Sequence, residues 1–591
     1  MLPIYKDLSN QYKEQYAKLK KQFSLVAAIR LLIVVALVFM FGKFITTSQV
    51  IYVLAIFVAI IGFLILIKYH QKIKNERNLY QKLLELNQHE INYLTNGQLP
   101  FDDGTEYINH EHLYTFDLDV FGTKSLFQHL NRTSTPVGKN KLAQKLSNKL
   151  FNEDVISHQH AIKELAEKIE FRQLFAARAK IAQVDLSGID KLIQWSKTAP
   201  VQPILFFKIV RYVLPALFIL MVSLSIFSEK VIFTYLSNTF FLLNLSVFAL
   251  YLKSIKNELV EAHKIHETIQ QYAVILKMIH QEPFTSVYLL ELKNKLADNE
   301  QNAFEQFQEL SKLFNQLSSI ENPLGAVLFN GALLYHFGIY QKLLQWKQKK
   351  AKNIEKYLTI LGEFDALNSL ANFSFNNTQF SFPEINQMHH IAFKNCGHPL
   401  IPAQQRVCND VTFDDHHFMI LTGSNMSGKS TFLRTLGINM LLTNTGAPVC
   451  ATYANVHPLM IIVSMRLNDS LSEGASYFFA EVKRLKHIMD ELTQQKCFVL
   501  LDEILKGTNS DDKRQGTVKV IEKMVQKNAI GAIATHDLEV CNIANSYPEK
   551  LSNYCFEVEI LNDELHFDYT LRRGICKNKS ASFLMHKMGV I

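Results

Sequence analysis

Cysteine is scarce and one-sided in this 591-residue chain: seven residues, every one beyond position 390, with no Cys-x-x-Cys pair. That excludes a zinc-ribbon framework and a disulfide-stapled secreted fold, and it reads as a reduced, cytosolic set. No His-Glu-x-x-His sequence and no Ser-His-Asp arrangement offers metalloprotease or serine-hydrolase chemistry. The nearest approach to metal-ligand spacing is His110-Glu111-His112 and His158-Gln159-His160, and each reads as a solvated face. Neither sign of charge dominates. A net charge of +8 permits nucleic acid or anionic lipid as a partner and requires neither.

Long apolar runs are what the chain does have. Residues 25–45 carry only Arg30 and Lys43, 50–67 carry no charge, 212–227 carry none, and 231–252 are interrupted only by Ser237-Asn238-Thr239 and Asn244. A helical span needs about 20 residues, or about 17 at the low end. The third run reaches that length if counted from Phe206, with Lys208 and Arg211 at its edge. These runs predict two transmembrane hairpins, spans about 25–45 and 50–67, then a second pair within 203–253. The first run is expected not to be a cleaved signal, because a polar stretch precedes it and no Ala-x-Ala site follows. Lys13, Lys18, Lys20, Lys21, Lys68, Lys72, Lys74, Arg77, Lys208, Arg211, Lys253 and Lys256 flank the hairpins on one side. The connecting turns hold only Lys43 and Glu229-Lys230. The positive-inside rule then predicts a multi-pass protein of the cell (inner) membrane with both termini cytoplasmic. Mid-span charge is confined to Arg30, which can snorkel, so the hairpins read as anchors rather than a transport path.

The most specific motif lies near the C-terminus. Leu421–Leu433 reads LTGSNMSGKSTFL and contains G-x-x-x-x-G-K-[ST] as Gly423, Gly428, Lys429 and Ser430. The apolar Phe418–Leu421 before it predicts a strand, and a helical pattern follows. In such a strand–loop–helix the backbone N–H groups, including those around Asn425 and Thr431, turn onto phosphates at a helix N-terminus. Lys429 would neutralise the β/γ-phosphates of ATP, and the Ser430 hydroxyl would hold Mg²⁺. Downstream, Cys497–Leu501 predicts a strand ending at Asp502, a Mg²⁺-holding acid, and Glu503, a water-polarising one. Ile530–Thr535 predicts another, ending at His536, a candidate γ-phosphate sensor. Between them Gly474, Ser476, Phe478 and Glu481 open a predicted helix over 478–492.

Taken together these motifs resemble the MutS family of DNA mismatch-repair ATPases. TGSNMSGKST is similar to that family's TGPNMGGKST, Asp502–Asn509 to its DEIGRGTS, Gly474/Ser476/Phe478/Glu481 to its GxSxFxxE, and Ala534-Thr535-His536 to its ATH. The resemblance implies that Ser476 reaches the ATP of a partner subunit, hence a homodimer with composite sites, and that Asp512 is the D-loop acid. It extends weakly over 110–200, where Thr133, Thr135, Pro136, Gly138, Lys141 and Leu142 follow the core pattern. It is strong over 355–591, including Glu363–Leu367 and Gly397-His398-Pro399-Leu400.

The departures matter as much. The family's mismatch-reading domain is expected to be absent, with membrane runs standing in its place. Lys347, Lys349, Lys350, Lys352 and Lys356 form one basic run that could touch phosphates but reads rather as a solvated helix face. The expected organisation is a membrane hairpin (1–95), core and lever helices (96–202), a second hairpin (203–253), lever helices (254–380) and an ATPase domain (381–591). In fold class this is an α/β P-loop (ABC-type) domain preceded by an all-α region carrying two transmembrane hairpins. The expected function is a membrane-anchored ATPase that binds ATP and Mg²⁺, with duplex DNA as a family-implied partner. The alternative is an ATP-driven membrane or protein-remodelling machine with no DNA role.

Overall fold

A computed structural model describes residues 1–577 except 151, 183–185, 201–204, 229, 263–265, 298–300, 467–476, 507 and 562–563. The chain is mostly helical up to residue 376 and mixed α/β beyond it.

The first two helices, Leu2–Thr47 and Val50–Asn96, pack along each other. The chain reverses at Ser48, which takes φ 54 and donates its N–H to the Phe44 carbonyl. At 1.5 Å per residue each helix is about 70 Å long, more than twice a bilayer's hydrocarbon core. Their tip is apolar and its large side chains face outward, Leu32, Val38 and Phe57 among them. Their base is docked: Leu79 and Leu83 pack on Ala177, and the Tyr5 hydroxyl donates to Asn376 at 2.9 Å. Among the described residues four helices are long and apolar enough to cross a membrane: these two, Ile209–Phe227 and Val231–Glu258.

The spine of the helical region is Ile354–Asn376, buried along almost its whole length. It joins the two stretches singled out around Thr135 and Glu363. Asp365 accepts from the N–H groups of Ser134 and Thr135 and from the Thr135 hydroxyl. Gly138 allows the approach, since a Cβ there would lie 2.2 Å from the Asp365 carboxylate. Two residues earlier on the same helix, Glu363 lies 2.5 Å from Lys145 and 3.5 Å from His158. Burial alone would raise the Glu363 pKa, but Lys145 and His158 together hold it well below the usual range. This corrects the expectation for 158–160: His158 and Gln159 are buried, not solvated, because this helix faces the spine. Among the described residues no group of three or more His, Cys, Asp or Glu is arranged to hold a metal.

The strands are β1 (Glu384–Ile385), β2 (Ile391–Cys396), β3 (Asn409–Phe413), β4 (Phe418–Gly423), β5 (Tyr453–Val456), β6 (Met460–Ser464), β7 (Cys497–Asp502), β8 (Ile530–Ala534), β9 (Leu551–Leu561) and β10 (Glu564–Arg573). A small sheet has the order β1-β5-β2-β3, and a larger one the order β10-β9-β4-β8-β7-β6. In the larger sheet β9, β4, β8, β7 and β6 are parallel, and β10 pairs antiparallel with β9. Alternation sorts its side chains: Met419 and Leu421 join the core shared with the helical region, while Phe418 and Ile420 face the helices Tyr477–Gln494 and Ser510–Gln526. Both faces are therefore covered, which explains why these strands read as unbroken apolar runs.

Candidate nucleotide site

Strand β4 is buried at every residue and delivers Gly423 to the C-terminal edge of the parallel sheet. Gly423 has φ 154 and Gly428 φ 99. A Cβ at Gly423 would lie 2.6 Å from Ser427 Oγ, and one at Gly428 2.9 Å from the Tyr569 ring. Only glycine lets the loop close this tightly. The helix Lys429–Thr445 begins here, and Lys429 turns its Nζ back onto the carbonyls of Gly423 and Ser424, 2.9 Å from each. Burial lowers the Lys429 pKa against the pull of Glu503 and Asp502. The hydroxyls of Ser424 and Ser427 are buried without a partner. An ammonium resting on loop carbonyls, two orphan hydroxyls and a helix N-terminus are the surroundings an anion would complete.

The neighbouring strands bring acid and imidazole to the same edge. Asp502 closes β7, and the Glu503 N–H donates to the Ala534 carbonyl at the end of β8, 3.0 Å away. His536 Nε2 contacts the Glu503 carboxylate. That hydrogen bond is the largest influence on Glu503, holding its pKa down at about 2. Glu503 and Leu505 both adopt left-handed backbone, φ 51 and 61. Glu481, buried on the helix Tyr477–Gln494, accepts from the N–H groups of Leu505 (2.5 Å) and Lys506 (3.0 Å) and so fixes this turn. Burial raises the Glu481 pKa, opposed by those two donors.

A cavity of about 580 Å³ links these groups. It is lined by the loop and first helical turn from Asn425 to Thr431, by Glu503 and His536, and by His398, Val407, Asn409 and Tyr569. Thus Gly428, Lys429, Ser430, Thr431, Asn425, Glu503 and His536 converge, and Gly423 and Asp502 sit at the adjoining strand ends. Asp512 turns away, its carboxylate accepting from Asn509 at 2.9 Å within a helix cap. Ser476, Gly474 and Gly507 lie outside the described residues, as does the segment beyond 577.

Three of the lining residues, Val407, Asn409 and Tyr569, belong to no sequence motif. Tyr569 comes from β10, where the pairing with β9 shifts between Phe567 and Leu571. Asn409 holds it there, donating to the Tyr569 carbonyl (3.0 Å) and accepting from Leu571 N–H (2.7 Å). The sequence carries no local signal of that bulge, since Leu565, Phe567, Tyr569 and Leu571 alternate with polar residues without a break. His398 lies in the Gly397–Leu400 stretch, whose only sequence signal is the family resemblance. Burial takes its pKa down to about 4, which leaves the ring neutral and able to accept as well as donate.

A glycine-bounded loop, a buried lysine and a Glu–His pair thus meet outside the carboxyl ends of parallel strands, where open α/β sheets take their ligands. Comparison with known proteins narrows this. Residues 419–588 match the family model "MutS domain V". The "DNA mismatch repair protein MutS" of Methanococcoides burtonii is 30% identical over 226 residues, 37% of this chain and 25% of that protein. That of Aquifex pyrophilus is 26% identical over 278 residues, 46% and 31%. The "DNA mismatch repair protein MSH3" of Meyerozyma guilliermondii is 26% identical over 352 residues, 55% and 36%. The C-terminal domain is therefore similar to the ATPase domain of the MutS family, and the chain spans about a quarter to a third of the length of these relatives.

Proposed function

We propose that this chain is a membrane-anchored ATPase that binds and hydrolyses ATP in composite sites of a homodimer. The observation that carries the reading is the convergence of Lys429 with the Glu503–His536 pair at the ends of adjacent parallel strands, on one cavity. The loop 423–431 works as a P-loop, its amides and Lys429 receiving the phosphates that the loop carbonyls of Gly423 and Ser424 now stand in for. The base lies against Tyr569 and the 398–409 wall. Glu503 orients the attacking water, and His536 holds Glu503 in place and reports on the γ-phosphate. Ser430 and Asp502 supply hard oxygen ligands suited to Mg²⁺. When bound, that ion neutralises charge on the phosphates. Ser476 completes the site of the partner subunit.

The four apolar helices form two hairpins in the cell (inner) membrane, with the ATPase and both termini on the cytoplasmic side. Their outward-facing apolar side chains support this, since water would not solvate them. The spine Ile354–Asn376 carries motion between site and membrane.

The family's involvement in DNA mismatch repair makes duplex DNA the first partner to test. A second reading, a membrane or protein-remodelling machine without DNA, is favoured by the state of the basic run. Lys347 is buried, 3.6 Å from Glu258, and Lys350 binds Glu309 at 2.6 Å, which leaves only Lys349, Lys352 and Lys356 of the run exposed for phosphate. Duplex binding by detergent-purified protein across a salt series, with and without ATP, separates the two. Binding that falls steeply with salt supports the DNA reading, and none at low salt with ATPase intact supports the other.

A further inference from the structure

The helix Pro323–Leu333 has the sequence PLGAVLFNGAL and no charge. Leu324, Val327, Leu328, Phe329 and Leu333 are all exposed, on more than one side of the helix. A helix apolar all round is found in a protein core or in a membrane, not in water. This one is not enclosed by protein. It is too short to span: 11 residues rise about 16 Å, half a hydrocarbon core.

Its depth is fixed by two contacts with the second hairpin. Asn244, fully buried within the apolar run of Val231–Ala262, donates Nδ2 to the Gly331 carbonyl at 2.8 Å. Gly331 is so close to Phe241 that a Cβ would lie 2.2 Å from the ring. Asn244 stands 13 residues from the outer start of its helix at Val231, about 20 Å along the axis. That is deep within a span anchored at Val231. A polar side chain there needs a partner at its own depth. The Gly331 carbonyl, in the last turn of its helix and without an intrahelical donor, is that partner.

The chain then reverses and leaves. Leu334, buried, takes φ 50, and the helix Tyr335–Lys350 descends beside the hairpin to Lys347, near Glu258. The polar groups of the reversal satisfy one another. Asn330 Nδ2 bonds the Ala326 carbonyl and His336 Nδ1, Asn330 Oδ1 accepts from His336 N–H, and Ser319 Oγ meets His336 Nε2 at 2.9 Å. Asn330 and His336 are fully buried. Non-helical backbone survives at membrane depth only when screened in this way.

We propose that Pro323–Leu333 is a re-entrant helix: it enters the cytoplasmic leaflet beside the second hairpin, contacts acyl chains through Leu324, Val327 and Leu328, and returns to the same side. This rests on the membrane-anchored reading above. It adds that the lever helices Ala303–Ser318 and Tyr335–Lys350 are joined through the bilayer, so that their motion displaces lipid.

The test is a nitroxide attached at Leu328→Cys in full-length Cys408→Ser protein reconstituted in phosphatidylcholine–phosphatidylglycerol vesicles. Controls are Val38→Cys, at the tip of the first hairpin, and Lys349→Cys, exposed on the lever. Collision rates with oxygen and with a water-soluble nickel chelate are read by electron paramagnetic resonance. The expected oxygen-to-nickel ratio at 328 is severalfold above that at 349 and close to that at 38. A ratio at 328 equal to that at 349, with 38 still lipid-exposed, overturns the re-entrant helix and leaves the membrane reading standing. Protection from both reagents at 328 means that protein covers the helix, which also overturns it. An aqueous ratio at 38 removes the membrane reading itself.

Discussion

Glu481 touches no nucleotide-facing atom, yet its loss should stop turnover. Its carboxylate accepts two backbone N–H groups, from Leu505 and Lys506, immediately after the proposed catalytic Glu503. The turn it holds contains two non-glycine residues in left-handed conformation, Glu503 and Leu505. Each hydrogen bond to a charged acceptor contributes about 1.5–3 kcal/mol, and each left-handed residue costs roughly 1–2 kcal/mol. Glu481→Leu removes both bonds and orphans two N–H groups, while relieving the desolvation of a buried carboxylate. The net cost to this turn is about 3 kcal/mol. At 1.4 kcal/mol per decade the population with Glu503 in position falls by roughly 100-fold. Steady-state ATPase should fall by that order, with ATP affinity by calorimetry within about threefold, because the phosphate loop is untouched. Glu481→Gln keeps one good acceptor and should lose about tenfold. Turnover of Glu481→Leu within twofold of the parent would refute the argument that this turn positions Glu503.

Lys429→Met should abolish nucleotide binding, and unchanged ATP affinity would exclude the cavity as the phosphate site. Glu503→Gln should bind ATP and fail to hydrolyse it, so a normal single-turnover rate would remove Glu503 from the mechanism. Ser476→Ala should slow hydrolysis while leaving ATP binding intact, and a normal rate would argue against a role in the partner's site. Lys145→Met strands Glu363 in the spine and should destabilise the fold by about 3–5 kcal/mol, measured by denaturant unfolding. The parent pair carries a pH signature. The folded pKa of Glu363 lies below its unfolded value of 4.5, so its stabilisation is complete above that value and is lost as pH falls through and below it. Lys145→Met should flatten that acid limb, and an unchanged profile would mean that the pair does not contribute.

The strands of the site were legible because each is buried on both faces and therefore spelled as an unbroken apolar run: Phe418–Leu421, Cys497–Leu501 and Ile530–Ala534. The loop was legible because two glycines, a lysine and a serine must sit at fixed spacing to wrap phosphate. The membrane-length helices were legible from composition alone, although the helices of the first hairpin continue beyond their apolar parts, over residues 2–24 and 68–96, into a docked stalk. Local sequence determined these features because each is set by hydrophobicity, periodicity or backbone permission within one short segment. What tertiary structure decided is who meets whom. Tyr569 over Gly428, Glu481 under Leu505, Glu363 between Lys145 and His158, and Asn244 on the Gly331 carbonyl join segments up to hundreds of residues apart. The His-Gln-His stretch at 158–160 shows the limit most plainly. Its spelling is that of a polar surface, but its helix happens to face a buried carboxylate, and a polar side chain is stable inside whenever the fold brings it a partner.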